Sequence, residues 1–371
     1  MIKRILLVVA VLFVQFWIFE AGLRWHAGLE AAPGFQSLFT PDPVAGYRLK
    51  PGASTRFTTA EFSTDIRINH AGVRGPDFGP KAPDERRIVV LGDSMVLAVQ
   101  VAEAHTFCQR LEERLNAAAV PPVRYRVING GVQGYGPVEM ALAADRVMAE
   151  LQPDVVVIGA YAANDATEAA DSAARLDGAT PTPLDPDELQ RSTRRILRRS
   201  MVLQVARMRA IQALDGMGRA PVPQRPLVAY LEDPPADVPF GLEVTARAFS
   251  RLASAAAGAG VPAAVVIIPA RFQIDDDDYG RLAEIVRTSG GTLVRDSGTD
   301  RMRAALTPLN VPMLDLLPPL RAEPDPVGLY FRQNAHFTPR GHDVIAAQLE
   351  RFLREQRLLP DAGAPPGAGR D

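Results

Sequence analysis

The sequence predicts an α/β protein, a three-layer α/β/α domain around a central parallel sheet. Two observations predict it. Short apolar runs of strand type recur at Ile88–Leu91, Tyr125–Ile128, Val155–Ile158 and Ala264–Ile268, with Pro312–Leu316 as a fifth candidate. Longer stretches of helical pattern lie among them, at Thr106–Ala119, Val138–Leu151, Leu242–Ala259 and Gly341–Arg357. Strands that alternate with helices build a parallel sheet covered on both faces, and sites in such sheets form at the carboxyl ends of the strands.

Composition narrows the classes. The chain has 371 residues, 47% of them apolar and 23% charged, which fits a globular protein with a large core. With 41 basic against 43 acidic residues, a net charge of −2, it lacks the basic excess that nucleic-acid binding needs. The single cysteine, Cys108, excludes an intramolecular disulfide framework and Cys-cluster metal sites.

The elements follow in order. Lys3 and Arg4 precede an apolar run, Ile5–Leu23, which as a helix spans about 28 Å, close to a hydrocarbon core of ~30 Å. Cleavage after Ala21 puts Phe19 at −3, and cleavage after Ala27 puts Trp25 there. Neither is a small residue, so residues 1–29 read as an uncleaved transmembrane signal anchor. The basic N-terminus places itself in the cytoplasm and the rest of the chain across the membrane. Residues 30–84 are rich in Pro, Gly, Thr and Phe, with alternating stretches Thr55–Thr59 and Asp65–Asn69, and read as a small β-rich segment. Residues 85–358 form the α/β domain. Within it, 167–240 breaks the rhythm with two Pro-rich stretches around a basic amphipathic helix, Leu189–Leu214, and reads as an insertion. The Pro/Gly/Ala tail, 359–371, reads as disordered.

Chemistry gathers at the strand ends. Ile88–Leu91 runs directly into Gly92-Asp93-Ser94, where a hydroxyl can enter the crevice beside the amino end of the next helix. The second strand leads into a glycine-rich loop containing Gly134, and the third into Ala163-Asn164-Asp165. A late loop, Asn334-Ala335-His336, offers an imidazole. Singly, each is ordinary: a turn glycine, a helix cap, a loop histidine. Together they supply a nucleophile, oxyanion donors and a general base, the inventory of acyl transfer.

These blocks resemble the SGNH (GDSL-type) hydrolase family, and the resemblance spans residues 87–357. It implies that Ser94 is the nucleophile and that His336 is the catalytic histidine. The N–H groups of Ser94 and Gly134 and the amide of Asn164 then form the oxyanion hole. It also implies a flavodoxin-like α/β/α fold and a reaction with no metal or organic cofactor. The chain so read is a membrane-anchored bacterial member. It would be a single-pass inner-membrane protein with a periplasmic serine esterase domain acting on acylated glycans or lipids of the envelope. An O-acyltransferase would use the same site.

One departure stands out. The family's acidic orienter of the histidine lies three, in some relatives two, residues before it, and here those positions are Gln333 and Asn334. Three arrangements are open. Asn334 or a backbone carbonyl orients His336; a carboxylate from elsewhere, such as Asp325, substitutes; or the site is inactive in a non-catalytic envelope binding or assembly protein.

Other signals carry less. Asp275–Asp278 has Tyr279 and Val286 where a calcium loop needs oxygen ligands, so it reads as an acidic helix start. His342, at a helix start, reads as structural, and no other histidine has metal-ligand spacing.

Overall fold

The computed structural model describes residues 11, 13–22, 35–59, 61–178 and 227–359. Residues 13–22 are helical and belong to a different compact unit from the one that begins at Phe35. Among the described residues no helix is long and apolar enough to cross a membrane. Positions 1–10, 12 and 23–29 of the expected anchor, the basic stretch Leu189–Leu214 and residues 360–371 of the tail lie outside them.

The unit from Phe35 onward opens with two antiparallel hairpins, β1 (Phe39–Asp42) with β2 (Gly46–Leu49) and β3 (Ser54–Thr58) with β4 (Ser63–Arg67). The second hairpin was legible in the alternation of its residues, but the first was not. Five parallel strands follow: β5 (Glu85–Gly92), β6 (Arg124–Gly131), β7 (Val155–Tyr161), β8 (Ala263–Ile268) and β9 (Met313–Asp315). All five expected strands are present. Their spatial order is β6-β5-β7-β8-β9, the flavodoxin-like order, in which ligands bind where the chain switches from one side of the first strand to the other. Register puts Gly92 beside Gly131 and Leu91 beside Ile158, so the carboxyl ends of β6, β5 and β7 lie side by side.

The period-two geometry of these strands divides their apolar residues between two faces. Ile88 and Val90 of β5, Val155 and Val157 of β7, and Ala264, Val266 and Ile268 of β8 share one core cluster. That cluster takes in Phe107, Leu111 and Leu115 of α2 (Phe107–Ala117) and Ile345, Leu349 and Phe352 of α8 (Pro339–Glu355). Each fully buried aliphatic side chain contributes about 1.5–3 kcal/mol, so these layers dominate the stability of the domain. Both helices start at a threonine cap: Thr106 accepts the Gln109 N–H and Thr338 accepts the Gly341 N–H. Between β5 and α2 sits the short α1 (Ser94–Leu97).

A second cluster, Val138, Ala169 and Val244, joins α3 (Pro137–Leu142), α4 (Asp165–Leu176) and α5 (Asp237–Gly258). The expected helix Val138–Leu151 is broken into Pro137–Leu142, Ala144–Arg146 and a π turn, Val147–Leu151. Val138, Ala144, Val147 and Leu151 give each of the three pieces a buried apolar residue. Helices α4 and α5 overlap the two ends of the stretch 167–240 that the sequence marked as an insertion. The acidic run begins α6 (Asp276–Thr288), with Asp275 accepting the Asp278 N–H as its cap, and α7 is Ser297–Leu306.

α4 and α5 touch backbone to backbone. A Cβ at Gly241 would sit 1.7 Å from the Ala166 carbonyl oxygen. Gly241→Ala must therefore push the helices apart. We expect a loss of about 2–4 kcal/mol, read as a lowered thermal midpoint, because overpacking against backbone has no side chain to absorb it. An unchanged midpoint would show that this contact is looser than described.

Candidate active site

Gly92 ends β5 and Asp93 turns the chain into α1, its carboxylate accepting the Met95 N–H at 2.8 Å. A side chain at Gly92 would collide with Val96 at 2.3 Å, so this turn requires glycine. Ser94 is the first residue of α1 and only 8% exposed. Its Oγ lies 2.9 Å from Nε2 of His336, 242 residues away in sequence.

His336 stands on a loop closed by two hydrogen bonds, from the Phe331 N–H to the His336 carbonyl (2.7 Å) and from the Ala335 N–H to the Phe331 carbonyl (3.2 Å). Ala335 has φ +58°, in the left-handed region that residues with a Cβ rarely adopt. This bend brings the Asn334 carbonyl to 3.0 Å from His336 Nδ1. A carbonyl oxygen only accepts, so Nδ1 carries the hydrogen and Nε2 is left to accept from the Ser94 hydroxyl. Burial pushes the His336 pKa below its usual 6.5, and the bond to the Asn334 carbonyl partly opposes that shift.

The structure separates the first two of the three arrangements at 333 and 334. The orienter is the backbone carbonyl of Asn334, not its side chain, whose Oδ1 is buried without a hydrogen-bond partner among the described residues. Asp325 does not substitute. Its carboxylate accepts the Gly328 N–H at 3.1 Å and pairs with Arg340 at 2.5 Å. A carbonyl selects the correct tautomer as a carboxylate does, but it adds no charge to stabilise an imidazolium.

Asn164 follows β7 at the start of α4, and its side chain does not cap that helix. Its Nδ2 donates to Glu168 Oε1 at 2.9 Å, which sets the plane of the amide and leaves its second hydrogen for another acceptor. The same amide helps to hold down the pKa of the neighbouring Asp93 carboxyl, which burial nevertheless pushes up to about 6. Asp165, buried and facing Asp93, is raised well above the usual carboxylate range. Two carboxyls so placed share the penalty of ionising in a dry site.

Gly134 has φ +73° in the loop after β6. That loop and the end of β6 pack on the turn around Ser94: Val132 N–H donates to the Gly92 carbonyl (3.0 Å) and Asn129 Nδ2 to the Val96 carbonyl (2.8 Å). The Tyr47 hydroxyl donates to the Gln133 carbonyl at 2.8 Å. It therefore fixes the very peptide whose N–H belongs to Gly134. His342 is structural, as expected. It is buried with Nδ1 accepting the Phe107 N–H at 3.2 Å, and burial drives its pKa down to about 3.

Sequence reasoning missed three residues here, all from the segment before β5. Tyr47 is one and Glu61 another. The third is Arg74, 3% exposed, which donates to the carbonyls of Leu97 (2.7 Å), Ala98 and Val101 (2.6 Å) at the carboxyl end of α1. No periodicity or motif marks any of them, since each acts on backbone far away in sequence.

Comparison with known proteins adds the following. Residues 233–367 match the family model described as "SGNH hydrolase-like domain, acetyltransferase AlgX". The matched stretch contains Asn334 and His336 but not Ser94, Gly134 or Asn164. None of the curated proteins compared with the chain matches it. Solved structures that match include the lipase/acylhydrolase from Enterococcus faecalis, 13% identical with a TM-score of 0.37, over 73% of this chain and 96% of that one. An α/β hydrolase from the metagenome of Lake Arreo, Spain, is 15% identical with a TM-score of 0.39, over 74% and 97% of the two chains. A GDSL-like lipase from Bacteroides thetaiotaomicron is 12% identical with a TM-score of 0.36, over 75% and 93%.

Proposed function

We propose, from the match of residues 233–367 to a model described as an SGNH hydrolase-like domain, a serine esterase that works through a Ser94–His336 pair on acylated envelope molecules, glycan or lipid esters. The observation that carries this reading is the line from the Asn334 carbonyl through the imidazole to Ser94 Oγ, with hydrogen bonds of 3.0 and 2.9 Å. His336 Nε2 takes the hydroxyl proton as Oγ attacks the ester carbonyl. The N–H groups of Ser94 and Gly134 and the side-chain amide of Asn164 receive the oxyanion. His336 then returns its proton to the leaving alcohol, and water repeats the sequence to release the acid. Without a charged orienter the imidazolium gains less stabilisation, so turnover is slow.

The family description names an acetyltransferase, which favours a second reading in which a sugar hydroxyl replaces water as the acceptor. The proposed setting is the periplasmic face of the inner membrane. It rests on the apolar run Ile5–Leu23 and on the exposed Phe13, Trp17, Ile18 and Phe19 within it.

The test is full-length protein in detergent, treated with a fluorophosphonate and assayed on short-chain activated esters and O-acetylated glycans, with and without a sugar acceptor. One adduct on the peptide bearing Ser94, together with acetate release, is the expected result. Acetyl appearing on the added sugar selects the transferase. Neither adduct nor turnover would leave the non-catalytic envelope protein as the better reading.

The pH profile follows from the base. His336 must be neutral to act, and burial lowers its pKa, so it stays neutral further into acid. The Ser94 hydroxyl and the Asn334 carbonyl that meet its ring do not titrate in this range, but the Asp93 carboxyl beside Ser94, pushed up to about 6, does, so the His336 ¹⁵N signal is titrated alongside kcat/KM to assign the limb. The acid limb of kcat/KM is expected to have its midpoint below 6.5, the usual value for histidine. A midpoint above 6.5 would assign the limb to a different group.

A further inference from the structure

Glu61 lies in the turn between β3 and β4, outside the catalytic sheet. Its two carboxylate oxygens each accept one backbone N–H of the histidine loop, Gln333 N–H on Oε1 at 2.9 Å and Asn334 N–H on Oε2 at 2.7 Å. The contact spans more than 270 residues of sequence. It is reinforced beside it, where the rings of Phe62 and Phe331 pack at 5.4 Å. The turn itself is preformed, because Thr59 Oγ1 accepts the N–H groups of Glu61 and Phe62.

We propose that Glu61 is the positioning residue for the general base: it clamps the loop 333–334 so that the Asn334 carbonyl is held on His336 Nδ1. The carboxylate missing from the usual sequence positions is thereby supplied by another part of the chain, and it acts through the backbone. This inference rests on the reading of Ser94 and His336 as the reacting pair.

The physical case has three parts. First, the loop is strained at Ala335, and a left-handed alanine persists only where its surroundings hold it. Second, two adjacent N–H groups on one carboxylate make charge-assisted bonds, stronger than bonds to water or to a neutral acceptor. Third, with the N–H of Asn334 anchored, the freedom of its own carbonyl is reduced to the small rotation that brings it to the imidazole. Released from Glu61, the loop loses that restraint and the ring can exchange tautomers. Glu61 does not touch the ring or the nucleophile, so its contribution is orientation.

The experiment uses full-length protein with Glu61→Ala, Glu61→Gln and Glu61→Asp. It reads kcat and KM on a short-chain ester, and the tautomer of His336 from ¹⁵N-histidine spectra. There are only five histidines in the chain, and His336→Gln assigns the signal. In Glu61→Ala, kcat is expected to fall about 10- to 100-fold with KM nearly unchanged, the scale of a misplaced catalytic group. The His336 signal is expected to move from the Nδ1–H form to a mixture. Glu61→Gln offers one oxygen for two N–H groups and should recover only part of the loss. Glu61→Asp keeps the charge and should recover more.

A Glu61→Ala variant with kcat within about twofold of wild type, while Ser94→Ala is inactive, overturns the proposal. So does a loss of kcat that only tracks the folded fraction, with the tautomer unchanged. If wild type turns over no ester at all, the functional reading fails, and the tautomer of His336 in Glu61→Ala still decides whether Glu61 positions the ring.

Discussion

Ser94→Ala is expected to remove at least about 10³-fold of the ester turnover while leaving the fold intact. In serine hydrolases, loss of the nucleophile alone costs about as much as loss of the whole catalytic unit, and what remains comes from binding and the oxyanion hole. The loss here should be smaller than the ~10⁶ of a full triad, because a base oriented by a neutral carbonyl starts from a lower rate. Stability should change by about 1–2 kcal/mol, since the hydroxyl's bond to His336 and its contact with the Asp93 carboxyl are what is removed. Steady-state rates and thermal melts on the same preparation check both halves. A variant that keeps about a tenth or more of wild-type activity places the chemistry on some other residue.

Arg74→Met is expected to show the largest stability loss tied to the site. Arg74 is buried, and burial lowers its pKa to about 10, so it remains cationic at neutral pH. Its guanidinium answers the carbonyls of Leu97, Ala98 and Val101, the end of the helix that begins at Ser94. Ala98 is left-handed there, with φ 56°, so this turn already carries strain. Methionine fills similar space but donates nothing. The Ala98 carbonyl keeps the Val101 N–H, but those of Leu97 and Val101 lose their donor, and buried carbonyls left without one cost about 1–3 kcal/mol each. A total of about 3 kcal/mol or more should lower the melting midpoint by roughly 6–12 °C. Activity should fall at temperatures well below that midpoint, because α1 loses its anchor at one end and Ser94 stands at the other. An unchanged midpoint would mean that water replaces the guanidinium at no cost.

Asn334→Asp would raise turnover only if the side chain of that residue faced the ring, and the structure puts the backbone carbonyl there instead. A carboxylate at 334 would join a site where Glu61 already holds the neighbouring N–H groups, and the two negative charges would repel.

The sequence by itself determined the α/β class, the five strands and the blocks that bear Ser94, Gly134, Asn164 and His336. Those features are written in local pattern: apolar runs that must be buried on both faces, glycines where a turn admits no Cβ, and helical periods between them. It also showed what was missing at 333 and 334. Only the tertiary structure decided what replaced it. Tyr47, Glu61 and Arg74 come from the short β segment before the sheet, and each meets backbone groups of loops distant in sequence. Backbone N–H and C=O groups are the same at every residue, so a side chain that binds them leaves no complementary residue type to read in the sequence. That pairing exists only once burial has brought the hairpins against the strand ends.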